Sequence, residues 1–282
     1  MSRLKIAVLS GKGGTGKTLV STNLANILSK NIDVELLDCD VEEPNSSLFY
    51  NVDFEKETSV NIDLPVVDND ICTKCRKCAD SCQFGAINVF STGTMVFESL
   101  CHGCGVCSDV CPVNAITERK KEIGTIKYGK LNKINFGEGL LNIGEPSGVK
   151  VIRELKEFSN KIDVQILDSP PGASCSVVET LRDADYAILV TEPTPFGLHD
   201  LKSAQEIAEN MGIKHGVVIN RFEEEYDEMN EFLEAKSVDT LQKIPFSREI
   251  AEIYSKGDLI SDKEEYAHLF EKIAEKVGVF NV

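Results

Sequence analysis

The chain predicts an α/β protein, a doubly wound and mostly parallel sheet, interrupted by a small α+β unit of a different kind. Three observations carry this reading. Short apolar runs alternate with helical stretches, a glycine loop joins the first run to the first helix, and eight of the ten cysteines fall between residues 72 and 111. Continuous apolar runs suit strands buried on both faces, and helical crossovers between them keep the strands parallel.

LKIAVL at 4–9 reads as the first strand, followed by SGKGGTGKT and a helix beginning near Lys17, with Leu24, Ile27 and Leu28 on one face. Further strands are read at VELLDCD 34–40, VQILDSPPG 164–172, YAILVTEP 186–193 and GVVINRF 216–222, with helices over 147–159, 175–182 and 198–210. A chain of 282 residues has room for a core of about 200 residues and a satellite. Residues 1–62 and 119–282 are assigned to the core, and 63–118 to the insertion.

Composition narrows the function classes. The balance of 30 basic against 46 acidic residues gives a formal net charge of −16, which repels phosphodiester backbones and anionic lipid, so neither nucleic acid nor membrane is expected as a partner. No stretch approaches the ~18 apolar residues of a membrane span. The N-terminus MSRLKIAVLSGK carries no cleavable apolar region, and a cytoplasmic location is expected. In that compartment thiols stay reduced, so the cysteines read as metal ligands rather than disulfides.

The cysteines repeat with a period of 29: Cys72, Cys75, Cys78 and Cys82 recur as Cys101, Cys104, Cys107 and Cys111, and Ala86-Ile87 as Ala115-Ile116. Three close cysteines with a fourth further along is the spacing of the bacterial two-cluster ferredoxin, whose fourth cysteine serves the other cluster. Cys72, Cys75, Cys78 and Cys111 would then hold one [4Fe–4S] cluster, and Cys82, Cys101, Cys104 and Cys107 the second. A zinc site takes its ligands as two pairs, which sets of three plus one do not match. Pro112 follows the last cysteine of the second half, whereas Gln83 stands at the equivalent place in the first. NVFSTGTMVF at 88–97 reads as a hairpin. So small a unit owes much of its stability to its clusters.

GKGGTGKT at 11–18 satisfies G-x-x-x-x-G-K-[ST] with Gly11, Gly16, Lys17 and Thr18, in the strand–loop–helix context the motif requires. Backbone N–H groups of Gly13, Gly14, Thr15, Gly16 and Lys17 are placed to cradle phosphates. Lys17 should reach the β and γ phosphates, the Thr18 hydroxyl should ligate Mg²⁺, and Asp168 should hold the ion through water. Asp38 and Asp40 end a strand at the same crevice. Asn160-Lys161-Ile162-Asp163 spells the guanine-reading N-K-x-D, but precedes the Asp168 strand in the wrong order, so ATP is the expected nucleotide.

KGGTGKT at 12–18, DCDVEEPN at 38–45, the eight cysteines, DSPPG at 168–172, TEPTPFGLHDL at 191–201, INRF at 219–222 and IPF at 244–246 together resemble the MinD/Mrp/ParA group of P-loop ATPases with a deviant Walker A loop, in its branch with an inserted two-[4Fe–4S] ferredoxin. The resemblance implies an ATP-dependent homodimer, or a heterodimer with a related chain, in which Lys12 reaches the neighbouring subunit's nucleotide. It gives Asp40 the attacking water, makes Asp38 part of the same switch and Asp168 of a second, and puts Asn220 and Arg221 on the adenine side. A lysine that arrives only on assembly makes a slow Mg²⁺-dependent ATPase conditional on its dimer or partner. The alternative for Lys12 is a solvated loop lysine.

Two cysteines lie outside the block. The nitrogenase iron protein, a distant relative, has a cluster-ligating cysteine at a point similar to Cys175, yet one cysteine per subunit gives two thiolates where a bridging cubane needs four; buried thiol is the expected state. Cys39 lies between Asp38 and Asp40. His102, His199, His215 and His268 show no metal spacing.

Three functions follow. The first is ATP-gated electron transfer through the two clusters to a low-potential redox partner. The second is an iron–sulfur carrier or assembly ATPase delivering to an apo iron–sulfur protein, weakened because no cysteine follows Cys175. The third, favoured least by the acidic charge, is a redox-sensing positioning or partition ATPase.

Overall fold

The computed structural model describes residues 4–157 and 162–279. β1 (Leu4–Leu9) runs into the glycine loop and α1 (Lys17–Ser29), then β2 (Val34–Asp38). A long strand β3 (Asp53–Val67) leads to the cysteine unit, which holds α2 (Lys77–Ser81), the hairpin β4 (Ile87–Phe90) and β5 (Gly93–Val96), and α3 (Val106–Asp109). The chain returns along β6 (Ile116–Leu131) and turns into β7 (Ile134–Leu141). Then follow α4 (Val149–Glu157), β8 (Val164–Asp168), α5 (Cys175–Leu181), β9 (Tyr186–Thr191) and α6 (Pro195–Asn210). The C-terminal part comprises β10 (Lys214–Phe222), α7 (Asp227–Lys236), β11 (Thr240–Pro245), α8 (Arg248–Ser255) and α9 (Glu264–Val277).

Among the described residues one nine-stranded sheet has the order β11-β10-β9-β1-β8-β2-β7-β6-β3, parallel from β11 to β7, with β6 and β3 antiparallel at the edge. Side chains alternate across it: Ile6 and Val8 pack toward α1, α8 and α9, while Ala7 and Leu9 pack toward α4, α5, α6 and α7. Both faces are therefore covered, the doubly wound arrangement expected.

Element ends differ from expectation for local reasons. β2 stops at Asp38 rather than 40, because the Asp38 carboxylate accepts the backbone N–H groups of Asp40, Asn45 and Ser46 and turns the chain. α6 begins at Pro195 rather than 198, since Thr194 caps it by accepting from the Gly197 N–H at 3.0 Å and Pro195 suits the first turn. Asn160, Lys161 and the end of the helix expected over 147–159 lie outside the described residues.

The larger difference is β3, β6 and β7, which, like the edge strand β11, the sequence reading did not include. β3 and β6 pair from Asp53 opposite Lys130 to Val67 opposite Ile116, so positions 63 and 118 fall inside a continuous ribbon. The cysteine unit starts where that pairing ends, its base closed by the Asp68 N–H donating to the Ala115 carbonyl. Its buried apolar residues are few, Leu64, Ala86, Ile87 and Ile116 packing with cysteines. The expected hairpin is present as β4 and β5.

Candidate nucleotide cleft and cysteine cavities

β1 ends at the middle of the sheet, and the loop after it closes on α1 through Gly16, whose φ of 101° is left-handed. A Cβ at Gly16 would lie 2.2 Å from Asn220 Nδ2, and one at Gly11 would lie 2.3 Å from the Asp200 carbonyl, so both glycines are required by close approach. The loop opens onto a cleft of about 410 Å³, within the roughly 300–1,000 Å³ of small-ligand sites. Gly13, Gly14, Gly16, Lys17 and Thr18 of the loop line it together with Asp40, Asn220, Arg221, Phe246 and Tyr254.

The floor is charged and buried. Asp38 and Asp168 are opposite one another in adjacent strands and almost wholly inaccessible. Burial, and then the neighbouring Asp168 charge, push Asp38 up to about 8 against the pull of its three N–H donors. Burial also raises Asp168, and raises Asp40 to about 6, while Lys17 draws both down. Lys17 is itself lowered by burial, with Asp168, Asp40 and Asp38 opposing that shift. Three carboxyls against one ammonium leave the floor short of positive charge.

Asp168 Oδ2 accepts from the Ser46 hydroxyl at 2.9 Å, whereas Oδ1 is buried with no hydrogen-bond partner, beside Thr18 and Ser21. An orphaned carboxylate oxygen next to a loop threonine fits the hydrated Mg²⁺ expected there. The Thr15 hydroxyl is a second buried polar group without a partner, inside the phosphate-binding turn.

Other expected residues are placed less simply. Lys12 points outward, two-fifths exposed, with Nζ 4.0 Å from Asp200 of its own chain. Asn220 lines the cleft, but its Nδ2 donates to the Thr15 carbonyl at 2.8 Å, bracing the loop and leaving Oδ1 as the free polar atom. Arg221 pairs with Glu192 at 2.7 Å. Ser46, Phe246 and Tyr254 were not among the candidate residues; Ser46 directly follows DCDVEEPN, Phe246 ends the IPF motif without having been given a role, and Tyr254 lies in no motif. Cys39 is buried, and burial pushes its thiol far up. Cys175, expected buried, is exposed at the first position of α5, where the SPPGAS loop ends at the surface.

In the cysteine unit Cys72, Cys75, Cys78 and Cys111 line one cavity, and Cys82, Cys101, Cys104 and Cys107 line another. Among the described residues no three His, Cys, Asp or Glu side chains converge as a single ion would need. A cubane offers a separate iron to each thiolate, so sulfurs spread around a wall fit it better than a lone zinc. Backbone N–H groups donate to sulfur at equivalent points: Ala86 to Cys82 at 3.4 Å and Ala115 to Cys111 at 3.2 Å. Such bonds stabilise thiolate charge and help set a cluster's potential.

The backbone repeats with the sequence. Residues 74 and 103, 76 and 105, and 85 and 114 are all left-handed. The second loop meets this with Gly103 and Gly105, while the first uses Lys74 and Arg76, at a cost of about 1–3 kcal/mol for each non-glycine residue. His102 stacks on Phe84 at the second cavity, ring centroids 3.8 Å apart.

The cleft and the ribbon are physically joined. Val41, next to Asp40, accepts from the Leu141 N–H at 2.8 Å, and the Asn142 N–H donates to Ile123 of β6. A Cβ on Gly148 would lie 2.4 Å from Val41, so the segment after β2 sits in a socket at the root of the ribbon. Lys121 of β6 pairs with Glu145 at 2.9 Å, both largely buried.

A parallel sheet covered on both faces, with a glycine loop and a helix N-terminus at the end of its central strand, defines a P-loop nucleotide-binding protein. The family model described as the CobQ/CobB/MinD/ParA nucleotide binding domain matches residues 6–260, and the chain belongs to that family. It is 33% identical over 280 residues to an uncharacterized protein of Methanocaldococcus jannaschii, covering 96% of this chain and 97% of that one. It is 26% identical over 227 residues to an iron-sulfur cluster carrier protein of Pyrococcus horikoshii, covering 77% of this chain and 61% of that one. Among solved structures, the septum site-determining protein MinD of Pyrococcus horikoshii, complexed with Mg-ADP, superposes with a TM-score of 0.60 at 22% identity over 98% of this chain and 96% of that one, which is a likeness of fold. No helix among the described residues is long and apolar enough to cross a membrane.

Proposed function

We propose that the chain is an ATP-binding and ATP-hydrolysing iron–sulfur protein in which the nucleotide state of a dimer is coupled to electron transfer through two [4Fe–4S] clusters. The observation that carries this reading is the sorting of eight cysteines into two four-cysteine cavities on a ribbon rooted beside the nucleotide cleft. The clusters would supply one-electron chemistry.

Lys17 and the N–H groups of Gly13 to Lys17 hold the β and γ phosphates, and Asn220 keeps that loop in place. Thr18 and Asp168 would hold Mg²⁺, which neutralises phosphate charge. Asp40 orients the attacking water, and the partner subunit's Lys12 adds the charge that the transition state needs, its own-chain contact with Asp200 at 4.0 Å being weak enough to exchange. Movement of the segment after Asp38 passes through Val41 to the ribbon and its cysteine unit.

A second reading is favoured by the relatives called iron-sulfur cluster carrier protein and cytosolic Fe-S cluster assembly factor Nubp2 homolog. In it the partner is an apo iron–sulfur protein. The test is anaerobic: reduce the purified protein, follow its EPR signals with and without Mg-ATP, and offer oxidised electron acceptors and apo-proteins. Electrons delivered with iron content unchanged support the first reading, and iron and sulfide transferred to the apo-protein replace it with the second.

A further inference from the structure

The two cysteine loops share a backbone and differ in charge. At equivalent positions 74/103, 76/105 and 77/106 the first loop carries Lys74, Arg76 and Lys77 where the second carries Gly103, Gly105 and Val106. Residues 63–118 contain no other lysine or arginine, in a chain whose formal net charge is −16. All three are exposed around the mouth of the first cavity. Lys74 donates to the Ser91 carbonyl at 2.8 Å and Arg76 approaches Asp80 at 3.7 Å, and neither Lys74 nor Lys77 has an ion pair among the described residues.

Two further facts separate the loops. The left-handed backbone at 74 and 76 suits glycine, and the sister loop uses glycine there, so lysine and arginine are kept against local preference. The second loop packs against β3 at Gly103, where a Cβ would lie 2.7 Å from Ile62, and Asp63 and Pro65 line its cavity. The first loop leans on the β4–β5 hairpin, Lys74 donating to the Ser91 carbonyl and Arg76 to that of Val89, while Val113 of its cavity wall and Ile71, next to Cys72, are exposed.

Resting on the electron-transfer reading above, we propose that the Lys74-Arg76-Lys77 mouth of the Cys72/Cys75/Cys78/Cys111 cavity is the docking surface for an acidic redox protein. An anionic partner is repelled by the chain's net charge and meets a cluster of three exposed cations at the mouth of this cavity. The step is a single electron passing from the reduced chain to the oxidised partner, with no bond made or broken and no proton moved.

The test grafts the sister loop onto the first, as Lys74→Gly, Arg76→Gly and Lys77→Val in the full chain. The graft removes charge and relieves backbone strain together, so it should fold and retain iron, and iron content and EPR spin count check this. Dithionite-reduced protein is then mixed with oxidised flavodoxin as the acidic probe and with cytochrome c as a basic one, across a salt series. The expected result is a rate to flavodoxin lowered about tenfold or more at low salt, loss of its salt dependence, and a rate to cytochrome c unchanged or raised. An unchanged rate and salt dependence with flavodoxin overturns the proposal, and so does an equal fall with both probes, which assigns the loop to the cluster's potential. A wild-type protein that cannot be loaded with reducible clusters fails the electron-transfer reading itself.

Discussion

At Asp38 a wholly buried carboxyl is held by three backbone N–H groups and faces a second buried carboxyl, Asp168. An acid held at about 8 in the fold against 3.8 as its ordinary value keeps its proton while the unfolded chain has already lost its own. Stability without nucleotide and Mg²⁺ therefore falls as pH rises from about 4 to about 8, and Asp40, at about 6, adds to the lower part of that window. Asp38→Asn, which cannot ionise but turns its NH2 toward one of those donors, should lower the melting temperature near pH 4 and shrink its fall between pH 4 and 8, as thermal melts at several pH values will show. A wild-type melting temperature flat between pH 5 and 8 contradicts this. The sequence reading reached Asp38, Asp40 and Asp168 because each ends an apolar run beside the glycine loop. It missed Ser46 because a serine reached by chain reversal has no periodicity to mark it. Cys175 shows the opposite limit, since residue type alone suggested burial and its loop decided otherwise.

The ribbon strands are the elements least legible beforehand. In β3 the first seven residues are exposed and only Val60, Ile62 and Leu64 alternate with polar neighbours, and in β6 charged residues fill much of the outer half, so neither carries a strand pattern along its whole length. β7 is interrupted by Gly137 and Gly139, which weaken a strand pattern but serve packing: a Cβ at 137 would lie 2.8 Å from Leu37 Cδ2. The five central parallel strands, β1, β2, β8, β9 and β10, were read to within a few residues because both faces demand apolar side chains. Pairing across the ribbon's root makes its ion pair worth testing. Lys121 and Glu145 are 20% and 9% exposed, so Glu145→Gln leaves an ammonium with no charged partner in a poorly solvated place. It should lower stability by about 1–3 kcal/mol, read as a reduced urea midpoint at unchanged slope.

For the whole molecule the decisive question is whether the cleft is completed by a second subunit. Lys12→Ala should retain nucleotide binding and iron while losing ATP-dependent dimerisation, with hydrolysis falling roughly 10²-fold or more, by gel filtration and phosphate release. Normal hydrolysis by Lys12→Ala would make it a solvated loop lysine. Stripping iron should unfold the cysteine unit alone, because its apolar core is small and the nucleotide core is independent of it. Trypsin should then cut at Lys74, Arg76 and Lys77 while the rest of the chain resists, and equal resistance before and after chelation would refute the dependence. The ribbon that separates these units is also a lever arm. β6 extends from its last pairing with β7, at Gly124, to Ile116, eight residues or about 25 Å. A tilt of about 10° at the root displaces the tip by about 4 Å over that length, so a side-chain-sized shift beside the nucleotide becomes a change in reach for whatever sits at the far end.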